Sequence, residues 1–338
     1  MSKKFVIVGH GLAGSVLAHT LIKHKQQVVV IEADMPHSAT QVSAGLINPF
    51  IGPKLNIPED FVPCIRECKS FFAKMEARSS MKFLESIQLY RVFQTQEQKN
   101  KWNKLNEMFR IKLLSQSECL KLGINSKFGA GINSAWKLNS QNFISYSKKY
   151  LRDKKRFSAE LFDARKWKDY QVVFCEGFRA TQNPWFKDLP FSPAQGEVTK
   201  VRSTYPIDAT NGTWHLSERH NGHAIIGSTW KHEDIESGPN PSVRDKILSR
   251  LTFLPDLKMA ETLDHQSGVR SGTRDRHPIL GTHPEIKNYH IFNGFGSRGC
   301  TTIALSAKEM TALLIHGTPL PIYKDLIRFY KNKSHEIG

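Results

Sequence analysis

No apolar run in this sequence approaches the about 20 residues that a membrane-crossing helix needs. The N-terminus carries basic residues, but Gly9, Gly11 and Gly14 break up the apolar stretch downstream of them. It therefore reads as a strand and turn, not as a signal peptide, and the expected location is cytoplasmic. The five cysteines (Cys64, Cys68, Cys119, Cys175 and Cys300) are odd in number and scattered, which argues against a disulfide framework. Cys64 and Cys68 are four apart, yet no second Cys/His pair at ligand spacing joins them, so no metal site is expected. Repeats and low-complexity segments are absent. Acidic residues are few, 31 against 48 Lys and Arg, for a net charge of +17. That balance would favour polyanionic partners, although a spread basic surface more often serves solubility than RNA binding. The excess is spread out, with clusters at Lys99–Lys112, Lys148–Arg156 and Lys324–Lys333.

Within 338 residues there is room for two core-bearing units. The stretch Lys4 to Glu32 organises the first. Phe5–Val8 is a short apolar β-type run, and Gly9, Gly11 and Gly14 come next at G-x-G-x-x-G spacing. Val16, Leu17, Leu21 and Ile22 recur at helical steps, and Val28–Ile31 is a second β run ending in Glu32. Gly9 permits a sharp turn, Gly11 lets backbone approach a pyrophosphate, and Gly14 lets the helix pack close to the sheet. The helix N-terminus offers N–H groups and partial positive charge to phosphates. Glu32 suits ribose hydroxyls.

Residues 38–58 are rich in Ser, Gly, Asn and Pro but poor in charge. Such a loop fits backbone laid along a flat cofactor ring, with Ser38, Ala44, Gly45, Leu46 and Asn48 as contacts. Periodicity predicts helices over 59–80, 95–109, 117–122, 139–151 and 241–254. Strands are expected over 86–93, 111–114, 129–138, 196–203, 213–216 and 223–229, forming one antiparallel sheet with Trp136 partly buried. The run Asp169–Gly177 suits a third parallel strand of the first unit, with Gly177 passing close to the cofactor.

A second strand–turn–helix lies far along the chain. His290–Asn293 is a strand, Gly294, Gly296 and Gly299 make a tight turn, and Thr302–Ile315 is an apolar helix. A helix N-terminus there would stabilise the negative charge that develops on the pyrimidine end of a reduced flavin. Reduced nicotinamide carries no such charge, so a flavin is favoured. Just upstream, Arg270 in SGVRSGTRDRHPILG is the candidate for gripping a carboxylate through two parallel hydrogen bonds. Asp275, Pro278 and Gly281 build a turn, and His277 reads as structural.

Together GHGLAG with Glu32, SAGLINP, VVFCEG, AIIGST, GVRSGTRDRHPILG and NGFGSRGCTT resemble, in order, the D-amino-acid oxidase family of flavoproteins, which includes glycine and sarcosine oxidases. TRDRHPILG and GSRGCTT look most like the oxidase half of the bifunctional tRNA 5-methylaminomethyl-2-thiouridine biosynthesis proteins. The resemblance implies an α/β plus α+β fold: a discontinuous Rossmann-like FAD domain (1–85, 139–190 and 264–338) and an antiparallel-sheet substrate domain (86–138 and 191–263). It implies non-covalent FAD held by Gly9, Gly11, Leu12, Ala13, Gly14, Glu32, Ala33, Ser38, Ala44, Gly45, Leu46, Asn48, Gly177, Gly294, Phe295, Gly296, Ser297, Arg298, Gly299 and Cys300. Arg270, Arg298 and Trp214 are the implied catalytic set, and Trp214 falls near a position where relatives often carry tyrosine. The implied activity is oxidation of a C–N bond in an amino acid or N-substituted glycine, a small carboxylated amine. Two alternatives are a tRNA wobble-uridine side-chain oxidase and a flavin-binding subunit of a larger dehydrogenase.

Overall fold

The computed structural model describes residues 2–33, 36–52, 54–105, 107–109, 111–211, 214–218 and 222–330. Strand Lys4–Val8, helix Leu12–Lys23 and strand Gln27–Ile31 form the expected β-α-β unit, with the two strands parallel. Gln171–Phe174 pairs parallel on the other side of Lys4–Val8, and Tyr289–Asn293 pairs parallel with Gln171–Phe174. Phe157–Ser158 and the antiparallel Ile279–Thr282 complete a six-stranded sheet. Its central strands are apolar without alternation because both faces are covered. Phe5 and Ile7 meet Val16, Leu17, Ile303, Ala307 and Met310, from helices Leu12–Lys23 and Gly299–His316. Val6 and Val8 meet Trp167, Phe174 and Phe186 on the opposite face.

The second sheet has nine strands. Its order is Thr262–Arg270, Ala194–Arg202, His223–Gly227, Trp214–Glu218, Ala209–Asn211, Leu84–Val92, Ala130–Leu138 and Leu46–Ile47, with Lys112–Leu114 also paired to Ala130–Leu138. One neighbouring pair departs from the expected antiparallel pattern: Ala209–Asn211 runs parallel to Leu84–Val92. The expected boundary at residues 263–264 falls inside the strand Thr262–Arg270, which stays in this sheet as far as Arg270.

Three elements differ from expectation. The charged helix is Gln96–Trp102, not 95–109, because Trp102 buries its indole and the chain turns there. Thr95 caps its start, accepting from Gln98 N–H. The 241–254 helix ends at Ser249, and a separate short helix starts at Pro255. The loop after Glu32 contains a helical turn, Ala39–Val42, and the two-residue strand Leu46–Ile47. All five cysteines are free thiols. Among the described residues no helix is long and apolar enough to cross a membrane.

Candidate active site

The two glycine turns, almost 300 positions apart in sequence, open onto one cavity of about 980 Å³. That is near the upper end of ligand-pocket volumes, about 300–1,000 Å³. At the first turn Gly9 has φ +103°, and a Cβ there would fall 2.6 Å from the Cys175 carbonyl oxygen. A Cβ on Gly14 would fall 1.9 Å from the Gly9 carbonyl oxygen, so the helix sits as close to the turn as a hydrogen atom allows. Leu12 N–H donates to Thr40 Oγ1 at 3.1 Å, tying the following loop to the helix start. Gly9, Gly11, Leu12, Ala13, Glu32 and Ala33 all line the cavity; Gly14 stands behind them. Lys148 Nζ meets Glu32 Oε2 at 2.7 Å, so the acid expected to meet ribose hydroxyls is already held by a lysine of the same wall.

The loop runs along the cavity from Ser38 to Leu46. Gly45, at φ +73°, lies on the Leu138 backbone, where a Cβ would be 1.8 Å from the carbonyl oxygen. Asn48 does not reach the cavity. Its side chain donates to Phe50 O at 2.8 Å and accepts from Phe50 N–H at 3.2 Å, closing a local turn instead.

At the second turn Asn293 is the organising residue. Its Nδ2 donates to Gly177 O at 2.9 Å, and its Oδ1 accepts from Ser271 Oγ and Gly294 N–H, each at 2.8 Å. One side chain thus fixes the ends of two parallel strands and the segment after Arg270. Gly177, Phe295, Gly296, Ser297, Gly299 and Cys300 line the cavity. Gly294 packs against Thr273 and Ile279 behind it. Arg298 is also outside the lining: its Nη2 pairs at 2.9 Å with Oδ1 of Asp60, the residue that precedes helix Phe61–Ser79.

Arg270 lies on the cavity wall. Its Nη2 donates to Ser228 Oγ at 2.7 Å and its Nη1 to Thr229 O at 3.1 Å, both neutral acceptors. The Trp230 ring covers the guanidinium at 4.5 Å. Burial draws its pKa down to about 10. Trp214 opens a strand paired with Gly227, and its side chain lies outside the described residues.

Three wall groups carry no motif that singles them out in the sequence. His10, between the first two motif glycines, is buried; its Nε2 meets Ser147 Oγ at 3.1 Å and its Nδ1 has no partner. Burial, with Lys148 nearby, lowers its pKa to about 3, so the ring is neutral. Glu176 accepts from Asn183 Nδ2 at 2.7 Å, and burial raises its pKa to about 7. Glu160 pairs with Lys166 at 2.5 Å through Oε2, and Lys166 together with Ser158 holds its carboxyl below the usual carboxylate range. Their one sequence signal is an ionisable residue set inside an apolar or glycine-rich run. The orphaned His10 nitrogen, with the cradle at Gly9 and Gly14, fits a dinucleotide rich in hydroxyls and ring nitrogens.

A tRNA 5-methylaminomethyl-2-thiouridine biosynthesis bifunctional protein from Campylobacter concisus is 23% identical over 367 residues, covering 96% of this chain and 58% of that protein. The chain therefore spans little more than half of that relative's length. Iminodiacetate oxidase from Chelativorans sp. BNC1 has the same fold, with a TM-score of 0.79 at 16% identity over 95% of this chain and 98% of that one. Glycine oxidase from Bacillus cereus gives 0.76 at 18% identity, over 94% and 96%. The model of the family described as DAO, FAD dependent oxidoreductase, matches residues 4–313, which include both glycine turns and Arg270, and the chain accordingly belongs to that family of FAD-dependent oxidoreductases.

Proposed function

We propose that this chain oxidises the carbon–nitrogen bond of an amino acid or N-substituted glycine whose carboxylate is held by Arg270. Arg270 carries the reading. It is a partly buried cation on the cavity wall, bonded to neutral oxygens, and desolvation is what depresses its pKa. A buried charge without a counter-charge is costly, and a substrate carboxylate would supply one through paired N–H donors. Bound FAD supplies the acceptor for the two electrons and hydrogen removed as the amine becomes an imine. Arg270 orients the substrate, while Trp230 screens the guanidinium from water. A neutral amine needs no strong base, so positioning is the protein's main contribution. Water then converts the imine to a 2-oxo acid, releasing ammonia from an amino acid or the free amine from an N-substituted glycine.

A second reading differs in what carries the amine. The net charge of +17 and the tRNA biosynthesis named for the relative both favour a wobble-uridine side chain as the amine, with lysines and arginines on the phosphates. Anaerobic mixing of the purified protein with glycine, N-alkylglycines and modified tRNA tests both readings through loss of the flavin absorbance. Bleaching by free amines supports the first; bleaching by tRNA alone, steeply weakened by salt, supports the second. Flavin that stays oxidised with every carboxylated amine, free or on tRNA, would refute both.

A further inference from the structure

Among the described residues Arg270 is joined by a second arginine that lacks a counter-charge, and this one is buried. Arg91, in strand Leu84–Val92, is 7% exposed. Its Nη2 donates to Gly52 O at 2.6 Å, and its Nη1 is buried with no hydrogen-bond partner. Burial alone lowers its pKa to about 10, and among the described residues no acidic group joins that cause.

Arg91 pairs across the sheet with Gly131, and Leu89 pairs with Asn133. Alternation along the strands puts all four on one face. Leu89 on that face packs with Ala44 and Leu46, which line the cavity. Asn133 is fully buried; its Nδ2 donates to Ser134 O at 2.9 Å and its Oδ1 has no partner. The two side chains occupy diagonal positions on neighbouring strands, one step beyond the apolar patch beside the cavity; the open Arg91 Nη1 is a donor suited to an anion, whereas the open Asn133 Oδ1 is an acceptor. Water could complete their hydrogen bonds but would leave the guanidinium charge uncompensated. Buried arginines are otherwise paired.

We propose that Arg91 anchors a second anion site, one that takes a carboxylate or phosphate oxygen on the cavity-facing side of the nine-stranded sheet. With Arg270 it would select amines that carry a second acidic group at the end remote from the reacting nitrogen. That role in substrate choice rests on the proposed amine oxidation; the binding of an anion does not.

The test is thermal unfolding of the holoenzyme in sodium phosphate and in sodium acetate, each against sodium chloride at equal ionic strength. Wild type and Arg270→Met should gain stability with at least one oxyanion, and Arg91→Met should lose the response, its apparent affinity falling about tenfold or more. Arg91→Lys keeps the charge without the planar fork and should respond weakly, which covers the case of a methionine variant that does not fold. A larger effect of phosphate assigns the site to a phosphate-bearing ligand, and of acetate to a second carboxylate. A wild type indifferent to both anions, or a response kept by Arg91→Met and lost by Arg270→Met, overturns the site. Neither outcome depends on turnover, so failure of the oxidase reading would be seen separately, in the flavin bleaching.

Discussion

The guanidinium of Arg270 lies against the Cα of Gly196: a Cβ at residue 196 would fall 2.2 Å from Nη1 and 2.3 Å from Nη2. Gly196 faces Gly268 in the neighbouring strand, and both line the cavity. The absence of a side chain at 196 is what lets the charge lie flat on the sheet. Gly196→Ala should push the guanidinium from its seat on Ser228 and Thr229. KM for carboxylated amines should rise about ten- to a hundredfold, the loss of one charge-assisted pair, with flavin content unchanged. Steady-state kinetics beside the flavin-to-protein absorbance ratio checks it. An unchanged KM would free Arg270 from the role given to it.

Gly14 makes a comparable demand on backbone. Because the atom in the way of its Cβ is the Gly9 carbonyl oxygen, at 1.9 Å, no side-chain rotation relieves the clash. Gly14→Ala should cost about 1–3 kcal/mol in stability and displace the turn that cups the diphosphate. A lower Tm and substoichiometric flavin after gel filtration are the expected results. Full flavin at an unaltered Tm would show that the turn tolerates the shift.

Glu176 makes stability depend on pH. Burial raises its folded pKa from 4.5 to about 7, so the folded state keeps a proton that the unfolded state releases. The penalty is absent below pH 4.5, grows from there to about pH 7, and is full above it. At 1.36 kcal/mol per pH unit its size is on the order of 3 kcal/mol. Glu176→Gln can still accept from Asn183 and should raise stability at pH 8 while leaving it nearly unchanged at pH 4.5. His10 and His19 act in the opposite sense: burial lowers them from 6.5 to about 3 and about 4, so stability falls as pH drops below 6.5. His290, lowered by burial to about 4, acts in the same sense, so in Glu176→Gln the three buried histidines should make stability rise with pH from 5 to 6.5. Denaturant titrations of both proteins across this range decide it; parallel pH profiles would mean that Glu176 is ionised in the fold.

The local patterns carried most of the fold. The β-α-β unit at Lys4–Glu32 and the strand–turn–helix at Tyr289–His316 are each contiguous, and their periods and glycines could be read without tertiary information. What lay beyond reach was burial and long-range pairing. Nothing near Asn48 marks it as a turn-former that bonds to Phe50 instead of reaching the cavity. The same holds for His10 and Glu176, whose residue types gave no warning that the cavity wall would enclose them. The parallel contact of Ala209–Asn211 with Leu84–Val92 joins segments more than a hundred residues apart, where hydrophobic alternation carries no direction.

Arg298 is the sharpest case of that limit. GSRGCTT puts it in the turn beside the cavity, yet its guanidinium reaches 238 residues back to Asp60, at 2.9 Å. Arg298 precedes helix Gly299–His316 and Asp60 precedes helix Phe61–Ser79, so the ion pair joins two helix N-termini. An acid is favourable at such a terminus and a lone cation is not, and Asp60 offsets the cation at both ends. Both side chains are partly exposed, which limits the pair to about 1–2 kcal/mol. Arg298→Ala should therefore lower the Tm and leave kcat within about threefold of wild type, a change under 1 kcal/mol. Asp60→Asn should lower the Tm by a similar amount, and the double variant should lose less than the sum of the two. A large fall in kcat with an intact Tm would instead return Arg298 to the catalytic group that its motif implied.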